Sequence, residues 1–244
     1  MIDAEGRVAL VTGANRGIGF AIAQKLARLR MTVLIAARDP SKGEQAAAII
    51  RKEGLDVQYL RLDVTQAASV EAAASTVSQR FSQLDVLVNN AAIASDATLP
   101  PSQSSLDNIR KVFETNFFGV IAVTQAMLPL LRRSAAARIV NLTSGLGSLS
   151  LQSDPDWPFR VFNILGYNSS KTALNAFTVS LANELRGTSI KVNAASPGAC
   201  RTDLNNNTGT RTPEEGAETP VWLATLPDDG PTGGFFLDRQ VVPW

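Results

Sequence analysis

Val8-Ala9-Leu10-Val11-Thr12-Gly13-Ala14-Asn15-Arg16-Gly17-Ile18-Gly19 is the stretch on which the fold turns. A short apolar run ends in a turn carrying three glycines, and a helical pattern follows from Gly17 to Arg30. Glycines there keep the turn tight and let a pyrophosphate approach the N–H groups of a helix N-terminus. Taken alone, such a turn is also an ordinary βα junction. This one sits at the first strand–helix junction, where a dinucleotide fingerprint belongs. Its spacing is G-x-x-x-G-x-G rather than G-x-G-x-x-G.

Outward from this stretch the same alternation repeats. Strand-like apolar runs occur at Val8–Val11, Val33–Ala36, Val57–Leu62, Val86–Val88, Ile139–Leu142 and Ile190–Asn193. They are continuous rather than alternating, as expected of parallel strands covered on both faces. Helical stretches lie between them at Gly17–Arg30, Ser41–Glu53, Ala67–Phe81, Ser105–Leu131 and Tyr167–Arg186, with Ser41 and Thr65 as N-cap candidates. The pattern predicts a doubly wound parallel α/β sheet of Rossmann type, in a single domain spanning residues 1–244. Gly145–Gly166 and Asp203–Pro213 read as long loops, which in compact domains are usually functional.

Composition narrows the chemistry. The 244 residues contain no histidine, so no mechanism with an imidazole base is available. The one cysteine, Cys200, can form neither an internal disulfide nor a Cys/His metal site, and no metal is expected. Acid–base work falls to carboxylates, Lys, Tyr or a cofactor. A net charge of +1 gives no reason to expect nucleic acid as a partner. No apolar run is long enough to span a membrane, and the polar start Met1-Ile2-Asp3 does not resemble a signal peptide. The expected location is cytoplasmic.

The second strand ends Ala36-Ala37-Arg38. An NAD site usually places a carboxylate here for the ribose 2′-hydroxyl, whereas an arginine suits a 2′-phosphate. Arg38, with Arg16 from the glycine turn, could clamp that phosphate by charge-assisted forks. This favours NADP(H), although surface arginines are commonly just solvated. Further along, Tyr167 and Lys171 share one helix face at i and i+4. An ammonium beside a phenol is expected to pull its pKa down from about 10. That would make Tyr167 a general acid for carbonyl reduction.

Together these residues resemble the short-chain dehydrogenase/reductase superfamily. The glycine turn at 12–19, Asn89-Asn90-Ala91, Asn116, Ser144, Tyr167 with Lys171, and Pro197-Gly198 follow the family's order along essentially the whole chain. Thr115-Asn116-Phe117-Phe118-Gly119, Pro213-Glu214-Glu215-Gly216-Ala217 and Ala36-Ala37-Arg38-Asp39 look most like its carbonyl reductases. The resemblance implies that Tyr167 protonates the carbonyl oxygen and that Lys171 assists it and holds the nicotinamide ribose. Ser144 would hydrogen-bond the substrate oxygen, and Asn116 would hold a relay water. Gly13, Asn15, Arg16, Gly17, Ile18 and Gly19 would cradle the cofactor. Arg38, Asp63, Val64, Asn90, Ala91, Pro197, Gly198 and Thr202 would surround it. Asp63 is placed at the adenine amino group, although alone it reads as a helix cap.

The chain departs from the family in places. Ser144 and Tyr167 lie 23 positions apart, wider than the common form, which marks residues 145–166 as an insertion near the active site. It is rich in apolar residues and interrupted by Pro155 and Pro158. Ile93, Leu146, Trp157, Phe162, Ala199 and Cys200 are the expected substrate-pocket residues. The implied activity is NADPH-dependent reduction of a small-molecule ketone or aldehyde. A reductase of 3-oxo chains on acyl carrier protein, or a non-catalytic NADP sensor, are the alternatives. The insertion and the absence of an Asp-Gly-Gly tail point to a monomer or dimer rather than a tetramer.

Overall fold

Five consecutive buried residues, Val8–Thr12, form β1, the strand about which the sheet is wound. In this computed structural model residues 4–94 and 99–244 are described; the polar start at Met1–Asp3 lies outside them. The further strands are β2 (Thr32–Ala37), β3 (Val57–Arg61), β4 (Val86–Asn89), β5 (Arg138–Leu142), β6 (Lys191–Ala195), β7 (Phe235–Leu237) and β8 (Gln240–Val241). They lie in the order β3-β2-β1-β4-β5-β6-β7-β8. Every pairing is parallel except β7 with β8. The helices are α1 (Gly17–Arg28), α2 (Pro40–Arg51), α3 (Ala67–Arg80), α4 (Leu106–Phe113), α5 (Gly119–Leu131), α6 (Leu149–Ser153), α7 (Leu165–Glu184), α8 (Pro213–Gly216) and α9 (Glu218–Ala224).

Successive strand residues point to opposite faces, and both faces are covered. Ala9, Val11, Val33, Ile35, Val86 and Val88 pack with Ile22 and Leu26 of α1, Ile50 of α2 and Leu223 of α9. Val8, Leu10, Leu34, Leu87 and Ile139 pack with Val77 of α3, Met127 of α5 and Leu181 of α7. This double burial is why the strands read as unbroken apolar runs. The strand order reverses between β1 and β4, and a crevice opens at their carboxyl ends, where ligands of such sheets bind.

A polar chain crosses this otherwise apolar interior. Asn89 of β4 donates to Thr124 of α5 (3.0 Å) and to Asn141 of β5 (2.8 Å), and Asn141 donates to Thr178 of α7 (2.9 Å). All four are buried. The chain locks α7 onto the sheet at a fixed register.

The structure corrects several boundaries and caps. The long helix expected over 105–131 is three pieces. Between α4 and α5, residues Glu114–Phe118 form a π-turn, which periodicity does not reveal. The N-cap of α2 is Asp39, whose carboxylate accepts from Lys42 N (3.1 Å), rather than Ser41; Pro40 takes the first helical position. Thr65 does not cap α3. Gln66 stands there, and Thr65 instead donates its N–H and hydroxyl to Asp63. The expected loop at 145–166 contains α6, which ends before Pro155. β7, β8 and the two short helices before them were not expected from the sequence.

Replacing Asn141 by Ala should break the chain, leaving Asn89 only Thr124 and Thr178 only Leu174 O as partners, and open a cavity. The expected cost is about 2–4 kcal/mol, a fall in Tm of roughly 5–15 °C. Thermal denaturation showing a loss under about 1 kcal/mol would contradict the locking role.

Candidate active site

The glycine turn joins β1 to α1 where room for side chains runs out. Gly13 has φ +63°, and a Cβ there would meet Ala91 Cα at 2.9 Å. A Cβ on Gly19 would meet Asn90 Nδ2 at 2.4 Å and Gly13 O at 2.8 Å. Asn90 holds the turn from the β4 side: its Nδ2 donates to Thr12 O (2.7 Å) and Gly13 O (3.2 Å), and its N–H bonds Thr12 Oγ1 (2.9 Å). The N-terminus of α1 thereby faces a cleft of about 630 Å³. The expected cofactor residues Gly13, Asn15, Arg16, Gly17, Ile18, Gly19, Arg38, Asp63, Val64, Asn90, Ala91 and Thr202 all line it. So do Ala37 and Thr115, and also Leu62, Arg201, Asp203 and Leu204, which the sequence did not single out. Tyr167, Lys171, Pro197 and Gly198 are not part of this lining. Pro197 and Gly198 turn the chain after β6, with Gly198 at φ +73° beneath Arg211.

The far end of the cleft favours phosphate. The tip of β2 offers Ala37 and no carboxylate, because Asp39 is engaged as the α2 cap. Arg38 lines the cleft and is exposed. Arg16 also lines it, and its guanidinium pairs with Asp203. Asp63 Oδ1 accepts from Thr65 N and Oγ1 in a turn ahead of α3, and it does not cap that helix. A backbone cradle, a helix N-terminus and two cleft-lining arginines fit a dinucleotide carrying a 2′-phosphate.

The catalytic candidates meet beside this cleft. Ser144 stands two residues past β5; its hydroxyl accepts from Leu146 N (3.2 Å) and lies near enough to the Tyr167 phenol to lower its pKa. Thr143, its neighbour, points away towards Lys171 O (3.4 Å), which settles the register between the two hydroxyls. The turn Gly145–Gly147 lies hard against α7: a Cβ on Gly147 would meet Lys171 Cβ at 2.6 Å. Thr172 Oγ1 and Asn175 Nδ2 donate to Gly147 O (2.9 and 3.1 Å) and pin the turn there. Lys171 is buried, and its ammonium donates to Leu142 O (2.8 Å), 5.7 Å from the centroid of the Tyr167 ring.

Burial dominates the protonation of this pair. It pushes the Tyr167 phenol up to about 12, against the lowering effect of the Ser144 hydrogen bond. It pushes Lys171 down to about 7. The expectation that Lys171 depresses the Tyr167 pKa is therefore not met. Desolvation of both groups outweighs their interaction.

Asn116 also has a structural task. It sits fully buried in the π-turn, and its side chain clamps the backbone of Ile93: Oδ1 accepts from Ile93 N and Nδ2 donates to Ile93 O, both at 2.9 Å. Its second amide hydrogen goes to Ser170 Oγ (3.0 Å), which in turn donates to Tyr167 O (2.7 Å). Both amide hydrogens are thereby engaged within the protein. The side chain ties the cleft floor to the helix that carries Tyr167.

The residues expected to form a substrate wall fall in different places. Trp157 lies over Gly145, with its ring 3.1 Å from where a Cβ would stand, next to Ser144. Phe159 packs edge-on to Trp157 at 5.6 Å and Phe162 stacks on Phe159 at 6.3 Å, so an aromatic row runs outward. Phe162 is half-exposed. Leu146 is partly buried in the Gly145–Gly147 turn, and Ile93 lines the cleft. Ala199 is held by its carbonyl, which accepts from Thr210 N (2.8 Å) and Arg211 N (3.0 Å). The Cys200 thiol turns inward to Pro197 O (3.2 Å) and against Gly216, and burial raises its pKa to about 11. Cys200 is not among the residues that line the cleft at the glycine turn.

Comparison with known proteins agrees with this geometry. The family model described as short chain dehydrogenase matches residues 7–213. Short-chain dehydrogenase anuI of Penicillium roqueforti is 39% identical, over 88% of this chain and 87% of its own. Carbonyl reductase [NADPH] 1 of Mus musculus is 34% identical, over 97% and 98%. Among solved structures, the NADPH-bound carbonyl reductase from chicken fatty liver superposes with a TM-score of 0.86 at 29% identity, covering 98% of this chain and 100% of that one. Salutaridine reductase from Papaver somniferum gives 0.82 at 31% identity, over 95% and 99%. The chain belongs to the short-chain dehydrogenase family, as a carbonyl reductase-like oxidoreductase.

Proposed function

We propose that the chain is an NADPH-dependent reductase of ketones or aldehydes. The observation that carries this reading is the buried Tyr167 with part-buried Ser144 beside its phenol, Lys171 behind it and the glycine cradle alongside. When bound, NADPH supplies a hydride to the carbonyl carbon. Gly13, Asn15, Gly17, Ile18 and Gly19 hold its pyrophosphate at the α1 N-terminus, and Arg16 and Arg38 hold its 2′-phosphate. Asp63, Val64, Asn90, Ala91, Pro197, Gly198 and Thr202 complete the site. The relatives whose names specify NADPH, and the NADPH-bound neighbour, support that choice.

The residues then divide the remaining work. Ser144 donates a hydrogen bond to the carbonyl oxygen and fixes it beside Tyr167. Tyr167 passes its phenolic proton to that oxygen as negative charge builds there. The charged Lys171 stabilises the phenolate left behind. Asn116 keeps Ile93 and α7 in register. Burial of Tyr167 and Lys171 keeps bulk water from the proton transfer. Trp157 and Phe162 form one wall of the substrate site and suit it to bulky or aromatic ketones. The segment 145–166 begins beside α4 and α7 and limits assembly to a dimer at most. The working location is the cytoplasm.

Tyr167→Phe removes the acid and keeps the ring. Turnover with an aryl ketone should fall by about 10²–10⁴-fold, while the Kd for NADPH stays near normal. A Phe variant with ordinary turnover would mean that another group supplies the proton.

The pKa values give a signed pH profile. Tyr167 keeps its proton through the neutral range, because its pKa stands at about 12. Lys171 loses its charge as pH rises through about 7. The kcat/KM for reduction should therefore be level below about pH 7 and fall above it with loss of one proton. A profile that climbs from pH 7 to pH 9 would contradict the assignment.

For the pocket wall, Trp157→Ala should lower the rate on bulky ketones relative to small ones. Unchanged relative rates would remove Trp157 from the wall. Light scattering should give the mass of a monomer or dimer; a stable tetramer would overturn that reading.

A further inference from the structure

The cleft holds one carboxylate in a place where the proposed cofactor needs cations. Asp203 stands at the first position of a short turn, Asp203–Asn205, opposite the glycine turn. Its place is fixed by its neighbours rather than by solvent. Thr202 and Asn205 form a reciprocal capping box, Asn205 Nδ2 donates to Cys200 O (2.9 Å), and Asn207 N donates to Thr202 O (2.8 Å). Thr202 also touches the glycine turn: a Cβ on Gly17 would lie 3.6 Å from its methyl. So anchored, the Asp203 carboxylate pairs with the guanidinium of Arg16 across 187 residues of sequence. Both side chains line the cleft. Arg38 also lines it and has no carboxylate partner among the described residues.

We propose that Asp203 is a specificity-determining residue: an internal anion that holds Arg16 and that a ribose 2′-phosphate displaces. The proposal rests on the NADP(H) reading of Arg16 and Arg38. Arg38 is free to meet the phosphate first. Arg16 joins only by giving up or sharing its carboxylate, and the phosphate then sits near a like charge. Asp203 thus trims the advantage of NADP(H) over NAD(H) and eases release of the used cofactor. The pair is solvent-exposed, with 69% and 55% of the two side chains accessible, so its effect is modest. A ligand lacking the 2′-phosphate leaves the pair intact and gains nothing from its loss.

The test uses two fragments that differ only in that phosphate, adenosine 2′,5′-bisphosphate and adenosine 5′-monophosphate, titrated calorimetrically into the full chain. Asp203→Asn should tighten the bisphosphate by about two- to fivefold and leave the monophosphate unchanged. The gain should shrink with added salt and vanish in an Arg16→Ala background. Asp203→Ser should repeat the ratio, which guards against an effect peculiar to asparagine in the loop. An unchanged ratio would overturn the proposal. So would equal weakening of both fragments, which would make Asp203 a strap over the cofactor rather than a competitor. If the unmodified chain holds both fragments equally, the NADP(H) reading fails, and the proposal with it. If Arg16→Ala weakens only the bisphosphate while Asp203→Asn changes nothing, the reading stands and the proposal alone fails.

Discussion

The amide of Asn90 donates to two carbonyls at the end of β1, Thr12 O and Gly13 O, while its own N–H bonds the Thr12 hydroxyl. Through these bonds β4 and the glycine turn are held so close that neither Gly13 nor Gly19 has room for a Cβ. The helix that follows starts where the sheet order reverses, and its free N–H groups face the crevice. The cofactor cleft, the position of Ala91 and the line of Ile93 along the cleft floor all descend from this contact. It explains the glycines as a requirement of backbone approach, independent of any ligand.

The second half of the site depends on a comparable clamp. Gly147 lies against Lys171 with no space between them, and Thr172 and Asn175 hold its carbonyl. Ser144 is thereby delivered to Tyr167, although the two stand 23 positions apart. The segment that separates them runs through α6 and the aromatic row, so the proposed catalytic pair meets despite that distance in sequence. A dry interior then sets the chemistry: it keeps the phenol protonated and makes the ammonium labile near neutrality.

Much of this was legible in the sequence for a physical reason. Strands buried on both faces must be apolar at every position, so β1 to β6 stand out, and with them the doubly wound sheet. Tyr167 and Lys171 were legible from their shared helix face, whereas Ser144 and most of the cleft residues were legible only through the family resemblance. The π-turn at Glu114–Phe118 was not legible, because a single inserted residue leaves the helical pattern intact on both sides. β7 and β8 were too short for any periodicity. The Asp39-Pro40 cap carried a readable signal, an acidic residue before a first-turn proline, that was passed over for Ser41. The inward turn of Cys200 and the Arg16–Asp203 pair depend on how distant loops meet, which no local pattern encodes.

The central claim is that this cleft and this buried acid together deliver a hydride and a proton to one carbonyl group. Isotope transfer tests it directly. NADPH carrying deuterium on the transferred face of its nicotinamide C4, incubated with the chain and an aryl ketone, should yield an alcohol with one deuterium on the former carbonyl carbon. NADPH deuterated on the opposite face should yield none. Formation of alcohol without deuterium from either cofactor, or no alcohol from a panel of ketones and aldehydes, would contradict the account.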